Sequence, residues 1–175
     1  MRAAYADPPY PGQAKRHYAD DPRCAEVNHE ILIGHLETYD GWALSTSSAA
    51  LKKVLSVCPD DVRVGSWVKP FCSFKPNVNP AFAWEPVIFK QVRRRGRHER
   101  TVRDWISANI TLKRGTHGAK PKTFWFWLFD LIAMNPEDEF YDLFPGSGLG
   151  MQVWEHWRQR EHGIMSINQY QMTGM

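Results

Sequence analysis

The sequence predicts an α/β domain with a largely parallel sheet. Three observations carry that expectation. Short apolar runs of strand length, AAYA at 3–6, WALST at 42–46 and PVIFK at 86–90, alternate with longer stretches whose apolar residues recur at helical spacing. Hydrophobic residues make up 43% of 175, enough for one core. Finally, two of the apolar runs lead into irregular turns, DPPY at 7–10 and FPGSG at 144–148. In open α/β sheets ligands bind beyond the carboxyl ends of the strands, where such turns lie.

The elements follow in order. Ala3–Ala6 reads as a short buried strand, ended by Pro8, Pro9, Pro11 and Gly12. Gln13–Arg23 is polar and reads as a loop. From Ala25 to Thr38, Val27, Ile31, Leu32 and Leu36 keep helical spacing. Trp42–Thr46 is a strand, and Ser47 or Ser48 can cap a helix running to about Val57, just before Pro59. Val62–Val68 is the next strand, and Phe71–Pro86 a long loop. Pro86–Lys90 is a strand. The basic stretch from Lys90 to about Lys120 holds one helix around Val102–Ala108. Pro121–Met134 reads as an apolar, aromatic helix. Phe140–Phe144 is a strand, a helix follows to about Glu161, and Ile164–Asn168 is a last short strand.

Composition narrows the class. No run of 18 apolar residues is present, so no membrane span is expected. Asp7, Pro8 and Pro9 stand where the apolar core of a signal peptide would lie, so a cytoplasmic protein is expected. Cys24, Cys58 and Cys72 share no metal-ligand spacing and read as reduced thiols; no metal is expected. The net charge of +3 is mild, but its distribution is uneven. Between Lys90 and Arg103 seven basic residues face one Glu, whereas Glu137–Asp142 holds four acids and no base.

The turn Asp142-Leu143-Phe144-Pro145-Gly146-Ser147-Gly148 follows a strand and opens a helix. Its glycines permit a tight turn and close approach of a ligand to the backbone. It lacks the Lys-Ser/Thr pair of a phosphate-binding loop. Asp142 repels a pyrophosphate and attracts an ammonium, which favours a cationic cofactor. Asp7-Pro8-Pro9-Tyr10 suits another task. The prolines fix a rigid backbone whose carbonyls stay free to accept. Asp7 adds a charged acceptor, and Tyr10 a flat face on which a base can stack. Together they can grip an exocyclic amino group and the ring that carries it.

On these residues the chain resembles the S-adenosylmethionine (SAM)-dependent amino-methyltransferases that act on adenine N6 or cytosine N4 in DNA. ADPPY is similar to their catalytic motif and DLFPGSG to their cofactor motif. His117-Gly118-Ala119-Lys120-Pro121 is similar to the Lys-Pro that precedes the cofactor strand, and Trp84–Phe89 to their Glu-x-Ile/Val-x-Phe strand. The motifs span about Ala3 to Trp157. Their order, catalytic before cofactor, is similar to the circularly arranged group of the family and to small versions encoded by bacteriophages; for a phage-encoded chain the expected location is the bacterial host cytoplasm.

The resemblance implies a Rossmann-like methyltransferase sheet in circularly permuted order, one domain over 1–175 with a basic insertion at about 91–119. It implies a methyl transfer from SAM to an exocyclic base nitrogen, with catalytic residues Asp7, Pro8, Pro9 and Tyr10. Asp7 and the Pro8 carbonyl hydrogen-bond the amine, Tyr10 stacks on a base that is flipped out or single-stranded. The Asp-first motif favours adenine N6. Asp142, Phe144, Gly146, Ser147 and Gly148 are implied to hold the methionine part of the cofactor, and Lys120, with Pro121, its carboxylate end. An acid usual at the end of the next strand is replaced by Asn168, and the chain then ends, so a truncated sheet is expected. Weak cofactor binding, a homo-oligomer or a partner subunit that completes the pocket follows from that expectation. Arg93, Arg94, Arg95, Arg97 and Arg100 supply clustered charge for DNA phosphates, extended by Lys113 and Arg114; the plain alternative is a solvated loop. His17 and Tyr18 follow the catalytic motif on a loop that can close over the base. The aromatic run Phe124–Phe129, with Trp154 and Trp157, is assigned to a core or an oligomer face. The rival readings are an RNA adenine methyltransferase, against which Tyr10 weighs slightly, and a non-catalytic cofactor- or nucleic-acid-binding relative.

Overall fold

The structure, a computed structural model, describes residues 1–9, 27–70, 78–110 and 119–161, with 162–172 described as helical backbone. Its strands are β1 (Arg2–Ala6), β2 (Gly41–Ser45), β3 (Arg63–Val68), β4 (Trp84–Lys90), β5 (Trp105–Ser107) and β6 (Glu139–Asp142). Its helices are α1 (His29–Leu36), α2 (Leu51–Leu55), α3 (Lys122–Leu131) and α4 (Leu149–Met172). The strands form one sheet in the order β5-β3-β4-β2-β1-β6. β1 pairs parallel with both β2 and β6, and β3 with β5; β4 alone runs antiparallel, between β2 and β3. The expectation of an α/β sheet is met; three of its five strand pairings are parallel and the two made by β4 are antiparallel.

Strand alternation sorts the side chains onto two faces. Ala3 and Tyr5 of β1, Ala43, Trp67, Val87, Phe89 and Phe140 pack against α3 and α4. Ala4, Ala6, Trp42, Leu44 and Ile88 pack against Leu32, Ile33 and Leu36 of α1 and Val54 of α2. The aromatic run is core: Phe124, Trp125, Trp127, Leu128 and Phe129 are buried, as are Trp154 and Trp157 of α4, which stack on each other at 5.2 Å. Asn28 caps α1 by accepting from the Glu30 and Ile31 amides.

Two expected elements differ. The helix placed around Val102–Ala108 is instead the edge strand β5, beside β3. The aromatic and β-branched pair Trp105-Ile106 suits a strand, and sheet pairing satisfies its flanks: Ser66 N–H donates to the Asp104 carbonyl and Ala108 N–H to that of Val68. The strand placed at Ile164–Asn168 lies inside α4, which continues to Met172. No proline interrupts that stretch, and Ile164 and Ile167 sit three apart, a helical spacing. Asn168 therefore stands on a helix, not at a strand end. Among the described residues no helix is long and apolar enough to cross a membrane.

Candidate active site

The site forms where the parallel strands end. Tyr5 of β1 is level with Asp142 of β6, and Ala6 with Leu44 of β2. The chain therefore brings Asp7, Asp142 and the β2 end (Ser45, Thr46) to one edge of the sheet. Alternation also puts Asp7 on the face of Ala3 and Tyr5, beneath α3. β4 runs the other way, so its beginning, with Glu85, arrives at this same edge, beside the end of β3 and Lys69.

These ends carry a chain of charges. Lys120 Nζ donates to Asp7 Oδ2 at 2.7 Å and lies 3.2 Å from Glu85 Oε2. Lys69 Nζ donates to Glu85 Oε1. Both ammoniums sit over the Trp67 ring, 4.9 Å and 5.5 Å from its centroid. Lys120 is 5% exposed, whereas a quarter of the Asp7 side chain, 26%, remains open. Burial pushes the Asp7 carboxyl above its ordinary range; Lys120 pulls the other way without cancelling this, and Glu85 adds to the rise. Burial also opposes ionisation of Glu85, but Lys120 and Lys69 together hold it below its ordinary range. Lys120 is placed by sequence: the residue before a proline is kept extended, so it stays outside α3 and reaches back to the sheet.

The glycine turn adjoins this cluster. Asp142 Oδ1 accepts the Phe144 amide at 3.2 Å, which turns the chain off β6. Gly146 and Gly148 have φ of +47° and +73°, and a Cβ at Gly148 would meet nothing within 4 Å. The turn is thus open on its outer side. Gly150 is closed instead: a Cβ there would lie 2.6 Å from Asp142 Oδ2 and 2.7 Å from Trp125 Cη2. Burial raises the Asp142 carboxyl to about 6, against the Phe144 amide and with Asp7 adding to the rise. Among the described residues, the buried Trp125 Nε1 and Thr46 Oγ1 have no hydrogen-bond partner. An open turn beside a half-buried acid fits a polar ligand with a cationic end.

The basic run lies elsewhere. β4 ends at Lys90, level with Trp42 and hence Ala4, and the chain continues past the amino-terminal edge of β1. Arg93 donates to Asp138 Oδ1 at 2.5 Å and to the Ala133 carbonyl at 2.8 Å, and the Met1 amino group lies 3.1 Å from the same Asp138 oxygen. Arg93 is thereby held at the level of Met1, about 20 Å from that of Asp7 along the strand. Arg95 donates to the Asp130 carbonyl at 2.7 Å. Arg94, Arg97 and Arg100 are exposed, Arg100 lying 3.5 Å from Asp130 Oδ2. So the structure brings Asp7, Pro8, Lys120, Pro121 and the 142–148 turn to one edge and holds Arg93 and Arg95 at the other. Tyr10, His17, Tyr18, Lys113, Arg114, His117, Cys24 and Cys72 lie outside the described residues. Lys69, Thr46, Trp125 and Gly150 are residues that sequence reasoning missed. The one signal is local and covers Lys69 and Thr46 alone: each is a polar residue directly after an apolar strand end.

The fold matches that of M1.HpyAVI. The crystal structure of the M1.HpyAVI–SAM complex aligns with a TM-score of 0.61 over 90% of this chain and 78% of that one, at 16% identity. The crystal structure of M1.HpyAVI aligns at 0.56 over 89% and 76%, also at 16% identity. No protein-family model and no curated protein matches the sequence. The likeness is one of fold.

Proposed function

We propose that this chain transfers a methyl group from SAM to the exocyclic amine of a base in DNA, with adenine N6 favoured. The observation that carries the reading is the Asp7 carboxylate: its Oδ2 is taken by Lys120, and it stands beside the open Asp142–Gly148 turn of the adjoining strand. The fold likeness to M1.HpyAVI, one of whose crystal structures is a complex with SAM, supports it.

In this reading Asp142 receives the cofactor's ammonium, and Phe144, Gly146, Ser147 and Gly148 form the turn around it. SAM, when bound, supplies the methyl group, its C–S bond breaking as the new C–N bond forms. An aromatic amine is a poor nucleophile, because its lone pair is drawn into the ring. Asp7 Oδ1 and the Pro8 carbonyl accept the two amine hydrogens and favour a more tetrahedral nitrogen. The methylated nitrogen is cationic and loses one proton; Asp7, whose carboxyl burial has made more basic, takes it and returns it to solvent. Tyr10 stacks on the base. Phosphate contact rests on Arg94, Arg97 and Arg100, because Arg93 and Arg95 are engaged in the fold. The domain is single, with 91–119 inserted between β4 and α3. Asn168 receives no role, since it does not end a strand.

The test is transfer of labelled methyl from SAM to unmethylated DNA, RNA and protein in parallel, followed by digestion of the labelled pool to nucleosides. Label in N6-methyl-2′-deoxyadenosine from DNA is expected. Label in RNA alone would establish the rival substrate, and none in any pool would remove the activity.

A further inference from the structure

We propose that Lys69 and Glu85 set the proton affinity of Asp7 by dividing the Lys120 ammonium between two carboxylates. The inference rests on the reading of Asp7 as the group that holds the amine and takes its proton. Neither Lys69 nor Glu85 touches the amine in this scheme; both are positioning residues.

The geometry is a linear alternation of charge. Lys69 occupies Glu85 Oε1, and Lys120 occupies Asp7 Oδ2 at 2.7 Å. Between the two halves, Lys120 stands 3.2 Å from Glu85 Oε2, an ion-pair distance longer than its 2.7 Å bond to Asp7. Lys120 is thus shared between the two acids, with Asp7 the nearer. The Trp67 indole holds the two ammoniums in place, since both lie over its ring. Trp67 is itself fixed: it is 1% exposed and donates from Nε1 to the Ala108 carbonyl at 2.8 Å. Lys120 also lies over Phe124, at 6.0 Å. Lys120 is 5% exposed and Glu85 16%, so water screens these charges weakly.

Among the described residues, the charged groups that face Asp7 are Lys120 before α3, Glu85 of β4, Lys69 after β3 and Asp142 of β6. Each has a definite sign. Glu85 competes with Asp7 for Lys120. Lys69 satisfies Glu85 and so releases Lys120 toward Asp7. Removing the Glu85 charge therefore leaves Lys120 wholly to Asp7 and makes Asp7 more acidic. Removing the Lys69 charge lets Glu85 draw Lys120 away and makes Asp7 more basic. A merely structural pair would not move Asp7 in opposite directions.

The experiment is a carboxyl-carbon NMR titration of Asp7 in the full chain, with the resonance assigned through Asp7→Asn. Glu85→Gln is expected to lower the Asp7 midpoint by about one pH unit, and Lys69→Met to raise it by about one. The double variant K69M/E85Q should follow Glu85→Gln, and Lys69→Arg should restore the native midpoint, which separates charge from packing. The acid limb of the pH–rate profile of methyl transfer should move with the midpoint. Midpoints that stay put, or that move the same way in both single variants, overturn the proposal, whether or not methyl is transferred. Midpoints that move as expected in a protein that transfers no methyl would retain the network and remove the function instead.

Discussion

The two edges of the sheet each hold a basic side chain against buried acid, and they differ in what the acid experiences. At the amino-terminal edge, Asp138 is 3% exposed and accepts from Arg93, from the Met1 amino group and from the Asn135 amide. Burial opposes its ionisation, but these donors hold its carboxyl below the ordinary range. At the carboxyl-terminal edge, burial wins: Asp7 and Asp142 both lie above that range, despite Lys120. A saturated acid beside no open turn is a fastener. In the proposed function, the under-compensated acids beside the open glycine turn are the working groups, Asp7 at the amine and Asp142 at the cofactor's ammonium.

The sharpest break in this comparison is Asp7→Asn. It should lower methyl transfer by about a thousandfold while SAM affinity stays within a few-fold, because one acceptor at the reacting nitrogen is lost. Single-turnover transfer together with calorimetric SAM binding measures both, and a variant within tenfold of the native rate would place the chemistry elsewhere. At the opposite edge, Asp138→Ala should cost about 3 kcal/mol of stability by stranding Arg93, with SAM affinity unchanged. Urea unfolding reads that cost. The Asp138 contribution also has a pH window: with a lowered folded pKa, it is present above the unfolded value of 3.8 and lost as pH falls below it.

Asp142 has the opposite sign. Its folded pKa of about 6 exceeds the model-peptide value of 3.8, so the folded state holds this proton more tightly, and its share of stability declines as pH rises between the two. Binding of an ammonium needs the carboxylate, so SAM affinity should strengthen as pH rises through about 6. Asp142→Asn should flatten both trends; a titration of affinity that keeps its slope in that variant would free Asp142 of the role. The smallest effect is Arg97→Ala. It should leave stability unchanged and reduce the salt slope of DNA binding by about one, as one phosphate contact is lost. An unchanged slope would return the exposed arginines to solvent.

How much of this was legible follows from the range of each signal. β1, β2, β4 and α3 could be read because local periodicity and prolines dictate them, and the turn after β6 because Gly146 and Gly148 mark a left-handed backbone. The ion chain could not. Lys120 and Asp7 are 113 residues apart, and only the sheet order with its antiparallel β4 brings Glu85 and Lys69 to the same edge. The basic run is partly committed to the fold. Past β4 the chain alternates, with Arg93 and Arg95 engaged and Arg94 exposed between them. A cluster of charge does not say which of its members are already taken. β5 was missed because its pairing partner, β3, lies some 40 residues earlier, a distance no local pattern spans.

The most direct test of the central claim is amide hydrogen exchange of the whole chain with and without SAM. Slowed exchange at 5–8, 119–122 and 142–150, with 92–95 and 133–138 unchanged, is the predicted result. Protection at the Arg93–Asp138 edge, or no protection at saturating SAM, would contradict the placement of the site.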